Sequence, residues 1–411
     1  MITLAELNEV VELQNTRLNS VATIVPREII PGFSHTASFA LILSGIRRCG
    51  KSTVLTILVQ AEKDDSFYIN FDTPKLYHFE INDFAILDLI IRESKKKKLY
   101  FDEIQIVKGW EMFVREKLDE GYHVVVSGSN ATLLSIELGT RLTGRQITKE
   151  LFPFSYREFL EWGKAATGEE TFLDYVSKGG FPEYLKTGNS EIHANLLEDI
   201  IYRDIAVRFQ IRDVRTVKNV MQYLISNVGT LVSATRLKQV FSIKSTATLL
   251  EYFSYAEQSY LMFYVPKFSY SLKSQSVNPK KIYCIDTGLI NSVSSSFSKN
   301  IGHIFENAVF LELRRSFREI YYFSEQNSEC DFVIFNKNNC IGVYQVCFEI
   351  THDNKLREFN GAAKAAAYFG LTGAVIITVN QDDLAIVEGI QVKVIPAFRL
   401  FSQKINLENI N

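Results

Sequence analysis

The chain has 411 residues, 46% of them hydrophobic, with 45 Lys and Arg against 47 Asp and Glu and a formal net charge of −2. That length accommodates two to four domains with sizeable cores, and the near-balanced charge excludes a wholesale polyanion binder while leaving room for local basic patches. Cys49, Cys284, Cys330, Cys340 and Cys347 form no C-x-x-C pair and no zinc spacing, which suits free thiols in a reducing compartment; no apolar run reaches the roughly 18 residues of a membrane span, so a cytoplasmic protein with no membrane partner is expected.

Residues 1–36 read as an N-terminal extension that opens with a helix and has no signal-peptide core. The buried-strand pattern "FALILS" then runs straight into "GIRRCGKST" and the apolar helical pattern "STVLTILVQ". Gly45, Gly50, Lys51 and Ser52 stand in register with G-x-x-x-x-G-K-[ST], the loop whose backbone N–H groups wrap nucleotide phosphates. The candidate nucleotide-binding residues are Gly45, Ile46, Arg47, Arg48, Cys49, Gly50, Lys51, Ser52 and Thr53, with the side chains of Arg47 and Arg48 turned to solvent or a partner. Lys51 is expected on the β- and γ-phosphates and Ser52 on Mg²⁺, with the dipole of the following helix aimed at the same charge.

Next in the chain, "SFYINFDTP" reads as a strand with Asp72 at its tip, either a further acid near the site or a cap for the turn at Thr73-Pro74. "KKKKLYFDEIQ" is a strand after an exposed lysine turn, and it ends in Asp102 and Glu103. Asp102 suits the acid that holds Mg²⁺ through its water shell, and Glu103 the general base that polarises the attacking water. A further strand, "YHVVVSGSNA", ends in Ser127, Ser129 and Asn130, of which Ser129 and Asn130 are favoured to orient the lytic water or touch the γ-phosphate. The alternation of strands and helices over 37–150 predicts a parallel three-layer α/β sheet with nucleotide at the carboxyl ends of its strands.

"LSGIRRCGKSTVL", "YINFDTPKL", "LYFDEIQIVKGWEMFVREKLDEGYHVVVSGSNATLLS", "LGTRLTGRQITKELFPFSYREFL", "KGGFPEYL", "IIYRDIAVRFQIRD", "IYCIDTGLINS", "FENAVFLELRR" and "CDFVI" occur in that order. Together they resemble the bacterial and archaeal AAA-family ATP-binding proteins with a C-terminal domain of unknown function, DUF4143, over roughly residues 20–380. The resemblance implies an ATPase core of AAA+ type at 37–165, a helical lid at 166–213, a winged-helix-like segment at 214–290 and a domain similar to PD-(D/E)xK nucleases at 300–411. It implies ATP and Mg²⁺ as ligands and leaves the physiological substrate open.

ATP hydrolysis builds charge on the transferring phosphoryl group, and an arginine placed there is worth about 10³–10⁵ in rate. The candidates are Arg141 and Arg145 in "TRLTGRQ" and Arg203 in "IYRDIAVR", acting in cis or from a neighbouring copy in a homo-oligomer. The aromatic segment "LFPFSYREFLEW" reads as packing between core and lid.

Over 214–264 three helical patterns precede two strand patterns around a basic turn, the order of a winged helix. Lys244, Lys267, Lys273, Lys280 and Lys281 are candidate phosphate contacts in such a module. The third helix carries Glu251 and Glu257 in place of base-reading side chains, so a protein partner is as well supported as DNA. Beyond 300, a helix bearing Glu306, three strand patterns, a helix and a strand follow in the order of the nuclease-like fold. Asp331 fills that fold's first acidic position, whereas the acid-x-Lys position reads Gln345-Val346-Cys347. Glutamine still offers a metal its carbonyl oxygen, but cysteine cannot replace the lysine that stabilises hydroxide and phosphorane charge. Glu306, Asp331, Gln345 and Cys347 are therefore read as a degenerate site, with Lys355 the nearby substitute to check.

The leading expectation is a Mg²⁺-dependent ATPase whose nucleotide state rearranges the C-terminal modules. The alternative is a nucleotide-dependent DNA- or protein-binding switch with negligible turnover, and an ATP-regulated nuclease ranks third.

Overall fold

The computed structural model describes residues 2–19, 25–32, 38–129, 144–294, 301–325 and 328–403. They fall into two compact units, Met1–Phe152 with Gln258–Tyr260, and Pro153–Glu257 with Leu261–Asn411.

The first unit contains α1 (Leu4–Asn19), β1 (Ala40–Gly45), α2 (Lys51–Ala61), β2 (Ser66–Asn70), α3 (Phe84–Ser94), β3 (Lys98–Asp102), α4 (Trp110–Asp119), β4 (His123–Gly128) and β5 (Gln146–Leu151). The strand order is β2-β3-β4-β1-β5 with every pair parallel. A parallel sheet covered on both faces needs unbroken apolar strands, and all six residues of β1 are buried. Phe71, Phe79, Phe84, Phe101 and Phe113 pack one side, with Phe84 stacked on Phe113 at 4.4 Å. Leu7, Val10 and Val11 of α1 belong to the same core. At the open margin of β2, Gln14 pairs with Asn70 as a neighbouring strand would, donating to its carbonyl at 2.9 Å and accepting its N–H at 2.8 Å. This is the expected α/β sheet of a P-loop AAA fold.

The second unit begins with α5 (Tyr156–Gly163), α6 (Glu169–Lys178), α7 (Pro182–Thr187) and α8 (Glu191–Asp199), which continues into π-helical turns at Ile200–Val207. Next come α9 (Val214–Ser226), β6 (Leu231–Val232), α10 (Ala234–Val240), α11 (Thr246–Gln258), β7 (Met262–Val265), α12 (Leu272–Val277), β8 (Lys280–Cys284) and α13 (Thr287–Val293). The last stretch holds α14 (Ile301–Ser316), β9 (Glu319–Glu325), β10 (Ser328–Asn336), β11 (Asn339–Val346), α15 (His352–Tyr368), β12 (Gly373–Thr378), β13 (Asp383–Val387), β14 (Ile390–Pro396) and α16 (Ala397–Phe401). Strands β6-β8-β7 form an antiparallel sheet, and β13-β14-β12-β11-β10-β9 a mixed one covered by the alanine-rich face of α15.

The segment 166–213, expected as a lid on the ATPase core, is built into this second unit. A buried carboxylate takes part: Asp286 accepts the N–H of Gly180 at 2.6 Å and that of Leu289 at 2.9 Å, tying the end of α6 to the start of α13. The segments expected as separate winged-helix-like and nuclease-like domains also share the unit. Phe268 donates its N–H to the Tyr322 carbonyl at 2.7 Å, and the Asn307 amide brackets the backbone of Cys284 at 2.7 and 2.9 Å.

Candidate nucleotide site

The phosphate loop leaves the carboxyl end of β1 and turns into α2 at Lys51. Gly50 has φ 100°, a conformation that other residues adopt only with strain. Gly45 is required by closeness instead: a Cβ there would lie 2.2 Å from the Leu151 carbonyl oxygen of β5. Lys51 is buried, donating to the carbonyls of Gly45 and Ile46 at 3.1 Å each and lying 3.6 Å from Glu103 Oε1. Burial alone would lower its pKa, but the charges of Glu103 and Asp102 prevail and hold the ammonium above its ordinary range.

Asp102 ends β3 with no exposed surface. Its Oδ2 accepts the Tyr68 hydroxyl and the Asn70 amide at 3.0 Å each, its Oδ1 accepts the Ser127 hydroxyl, and the nearby Ser52 hydroxyl favours the charged form of the same carboxylate. Burial, and then the neighbouring charge of Glu103, raises the Asp102 pKa. Glu103 sits at φ 53°, a left-handed conformation that costs a non-glycine residue about 1–2 kcal/mol. Its N–H is donated to Ser127 Oγ at 3.2 Å, and its carboxylate accepts the Gln105 amide. A hydroxyl and a carboxylate paired at the mouth of a phosphate loop fit Mg²⁺, a hard cation that takes oxygen ligands.

The sequence reading missed Tyr68, Asn70 and Arg27. Arg27 is 4% exposed and donates to the Cys49 carbonyl at 2.8 Å and the Phe152 carbonyl at 2.7 Å, so it braces the loop against the end of β5. Burial pushes the Cys49 thiol pKa up, which leaves it neutral inside the loop. The Ser127 hydroxyl makes the bond to Asp102, and Ser129, favoured for the lytic water or the γ-phosphate, is buried directly after β4. Asn130 and Arg141 lie outside the described residues. Asp72 is exposed, with its backbone N–H donated to the Asn70 side chain at 2.7 Å.

Arg145 is at the wrong end of its sheet for action in cis. Its carbonyl accepts the N–H of Ala40, the first residue of β1, and its guanidinium pairs with Asp119 at 2.7 Å. Five steps of β1 at ~3.3 Å put the loop on the order of 17 Å away. Arg203 lies exposed on the π-helical turns of the second unit.

The second unit does bring Glu306, Asp331 and Gln345 together, and adds Lys281, Tyr283 and Glu358 to them. Lys281 Nζ donates to Glu306 Oε1 at 3.0 Å and to Asp331 Oδ1 at 2.7 Å, and the Tyr283 hydroxyl donates to Glu306 Oε1 at 2.6 Å. Burial pushes the Asp331 carboxyl up to about 6 against the pull of Lys281. At Glu306 burial also raises the pKa, but Lys281, His303 and Tyr283 outweigh it and the net direction is down. Lys281, expected on DNA phosphate, is thus an inward ion-pair residue, and Lys267 pairs with Glu325 at 3.4 Å. Lys355 is exposed and paired with Asp383 at 3.1 Å, so it does not serve this cluster. Cys347 donates its thiol proton to the Glu349 carbonyl, and burial lifts its pKa to about 11.

The AAA domain family matches residues 37–160, the domain of unknown function DUF8612 matches 169–300, and DUF4143 matches 301–398. The DUF8612 match spans both segments read from sequence as lid and winged helix. An uncharacterized protein of Methanocaldococcus jannaschii is 33% identical over 403 residues, covering 92% of this chain and 90% of that protein. An uncharacterized protein of Haemophilus influenzae is 28% identical over 342 residues, covering 77% and 84%. Among solved structures, the S. cerevisiae Hsp104-ADP complex aligns with a TM-score of 0.32 and 13% identity, over 74% of this chain and 50% of that one.

Proposed function

We propose, from the premise that the chain belongs to the family of AAA-domain proteins ending in a DUF4143 domain, that it is a cytoplasmic Mg²⁺-dependent ATPase whose nucleotide state rearranges its second unit. The observation that carries this reading is the convergence of Lys51, Ser52, Asp102 and Glu103 at the carboxyl ends of β1 and β3. Main-chain amides of residues 45–52 hold the β- and γ-phosphates, and the Lys51 ammonium, now on two loop carbonyls, moves onto phosphate oxygen. Ser52 and Asp102 are the residues that would hold Mg²⁺, which when bound neutralises phosphate charge. Glu103 accepts the proton of the attacking water, and Ser127 keeps Asp102 and the Glu103 backbone in place. Arg145 serves a neighbouring copy's nucleotide, since it stands at the far end of its own sheet, and Arg203 remains the second candidate for that charge. Among the described residues no helix is long and apolar enough to cross a membrane.

In the expected outcome, Lys51→Ala loses ATP binding by calorimetry, while Glu103→Gln binds ATP like wild type and loses turnover by at least ~100-fold. Unchanged turnover in Glu103→Gln removes the assigned base. A second reading, a nucleotide-dependent switch with negligible turnover, draws on the Glu103 carboxylate being held by Gln105 and lying 3.6 Å from Lys51, so that it must be released before it can serve as a base. Its partner is better sought among proteins than DNA, because two of the five candidate lysines, Lys267 and Lys281, are paired, the third helix of that segment carries Glu251 and Glu257, and Tyr270, Leu272 and Val277 are 80%, 81% and 77% exposed.

A further inference from the structure

We infer that the cluster of Glu306, Asp331 and Lys281 is a closed ion-pair site in which the Lys281 ammonium stands where a nuclease-like domain would carry a divalent cation. The acceptors that such a cation requires are already committed. Asp331 Oδ1 takes Lys281 at 2.7 Å and its Oδ2 takes the Val346 N–H at 2.9 Å. Glu306 Oε1 takes both Lys281 and Tyr283, and its Oε2 faces His303 Nδ1 at 3.9 Å. The carbonyl oxygen of Gln345, the ligand that sequence suggested, accepts the Asp331 N–H at 3.2 Å, while its amide donates to Glu358 Oε2 at 2.7 Å. Glu358 in turn pairs with Arg357. A hard divalent ion needs several oxygens at about 2.0–2.6 Å around one point. That point is filled by an ammonium hydrogen-bonded to both carboxylates, and a second cation there would meet its repulsion. Among the described residues no group of three His, Cys, Asp or Glu side chains is arranged to hold a metal.

The replacement also has a structural purpose. Lys281 and Tyr283 lie on one face of β8 by strand alternation, and both reach Glu306 on α14. One residue on, Cys284 is bracketed by Asn307 of the same helix. The Lys281 cluster therefore stitches the three-stranded sheet to the C-terminal sheet through Glu306 and Asp331.

The test titrates Mn²⁺ into nucleotide-free full-length protein and follows heat and thermal midpoint, readouts that do not depend on ATP turnover. Wild type is expected to show the same heat as Asp331→Asn and no change in midpoint. Lys281→Met leaves two apposed buried carboxylates; its midpoint falls by about 5–10 °C and Mn²⁺ restores most of the loss. Lys281→Arg keeps the midpoint and ignores Mn²⁺. Heat in wild type that vanishes in Asp331→Asn overturns the inference, as does Mn²⁺-dependent plasmid nicking that vanishes in the same variant. Indifference of folded Lys281→Met to Mn²⁺ overturns it as well. Should Lys281→Met not fold, the comparison of wild type with Asp331→Asn decides alone.

Discussion

Arg27 shows how much of this phosphate loop is held from outside the motif. Its guanidinium satisfies two carbonyls, and no shorter side chain can span both. Leaving one buried carbonyl unpaired costs about 1–3 kcal/mol, and the loop carries that cost in the conformation that binds nucleotide. Arg27→Met is therefore expected to weaken ATP binding about tenfold or more, with kcat at saturating ATP little changed; calorimetry and a KM-against-kcat comparison check it. Equal loss of kcat would mean that Arg27 touches the reaction itself. Nothing in the local sequence announces this residue, because its partners stand 22 and 125 positions away. Lys51, Ser52, Asp102 and Glu103 could be named as candidates from the sequence because spacing and strand context single them out. Ser127 was legible only as one of three neighbours. The parallel register that sets Phe101 beside Val126 brings the Ser127 hydroxyl onto Asp102.

At the level of elements, the parallel sheet was readable because strands buried on both faces must be apolar throughout, and the helix-strand alternation left few topologies. The helices after residue 152 were readable as helices but not by allegiance. Asp286 draws α6 and α13 together, with Asn291 donating to the Val176 and Ser177 carbonyls beside it. Beside it lies His193 of α8, 2% exposed and stacked on Tyr184 with ring centroids 4.2 Å apart. Burial lowers the His193 pKa more than the charge of Asp286 raises it. A histidine depressed in the folded state binds fewer protons there than when unfolded, so its stabilising effect is present above the ordinary value of 6.5 and is lost as pH falls through it. Urea unfolding from pH 7.5 to 5 should show stability dropping in that window, and His193→Gln should flatten the drop. A slope unchanged by the substitution would assign the effect elsewhere.

For the molecule as a whole, turnover should depend on neighbours if Arg145 acts across copies. Arg145→Ala keeps a complete loop and lacks the arginine, whereas Glu103→Gln keeps the arginine and lacks the base. Mixed together they should regain part of wild-type turnover while each alone is inactive; absence of recovery would retire the trans role. The second unit was the least legible part. Sequence found Glu306, Asp331 and Gln345, yet read Lys281 as a surface contact because lysines are seldom buried without a partner, and both partners come from outside its own segment. The pairing of Gln14 with Asn70 carries a practical lesson. Asn70 also grips the carboxylate of Asp102, so the first helix both seals the outermost strand and steadies the acid at the end of β3. A preparation trimmed or tagged within its first nineteen residues would expose a sticky border and slacken the residues around Asp102 at once, and any clumping would be the trimming's doing.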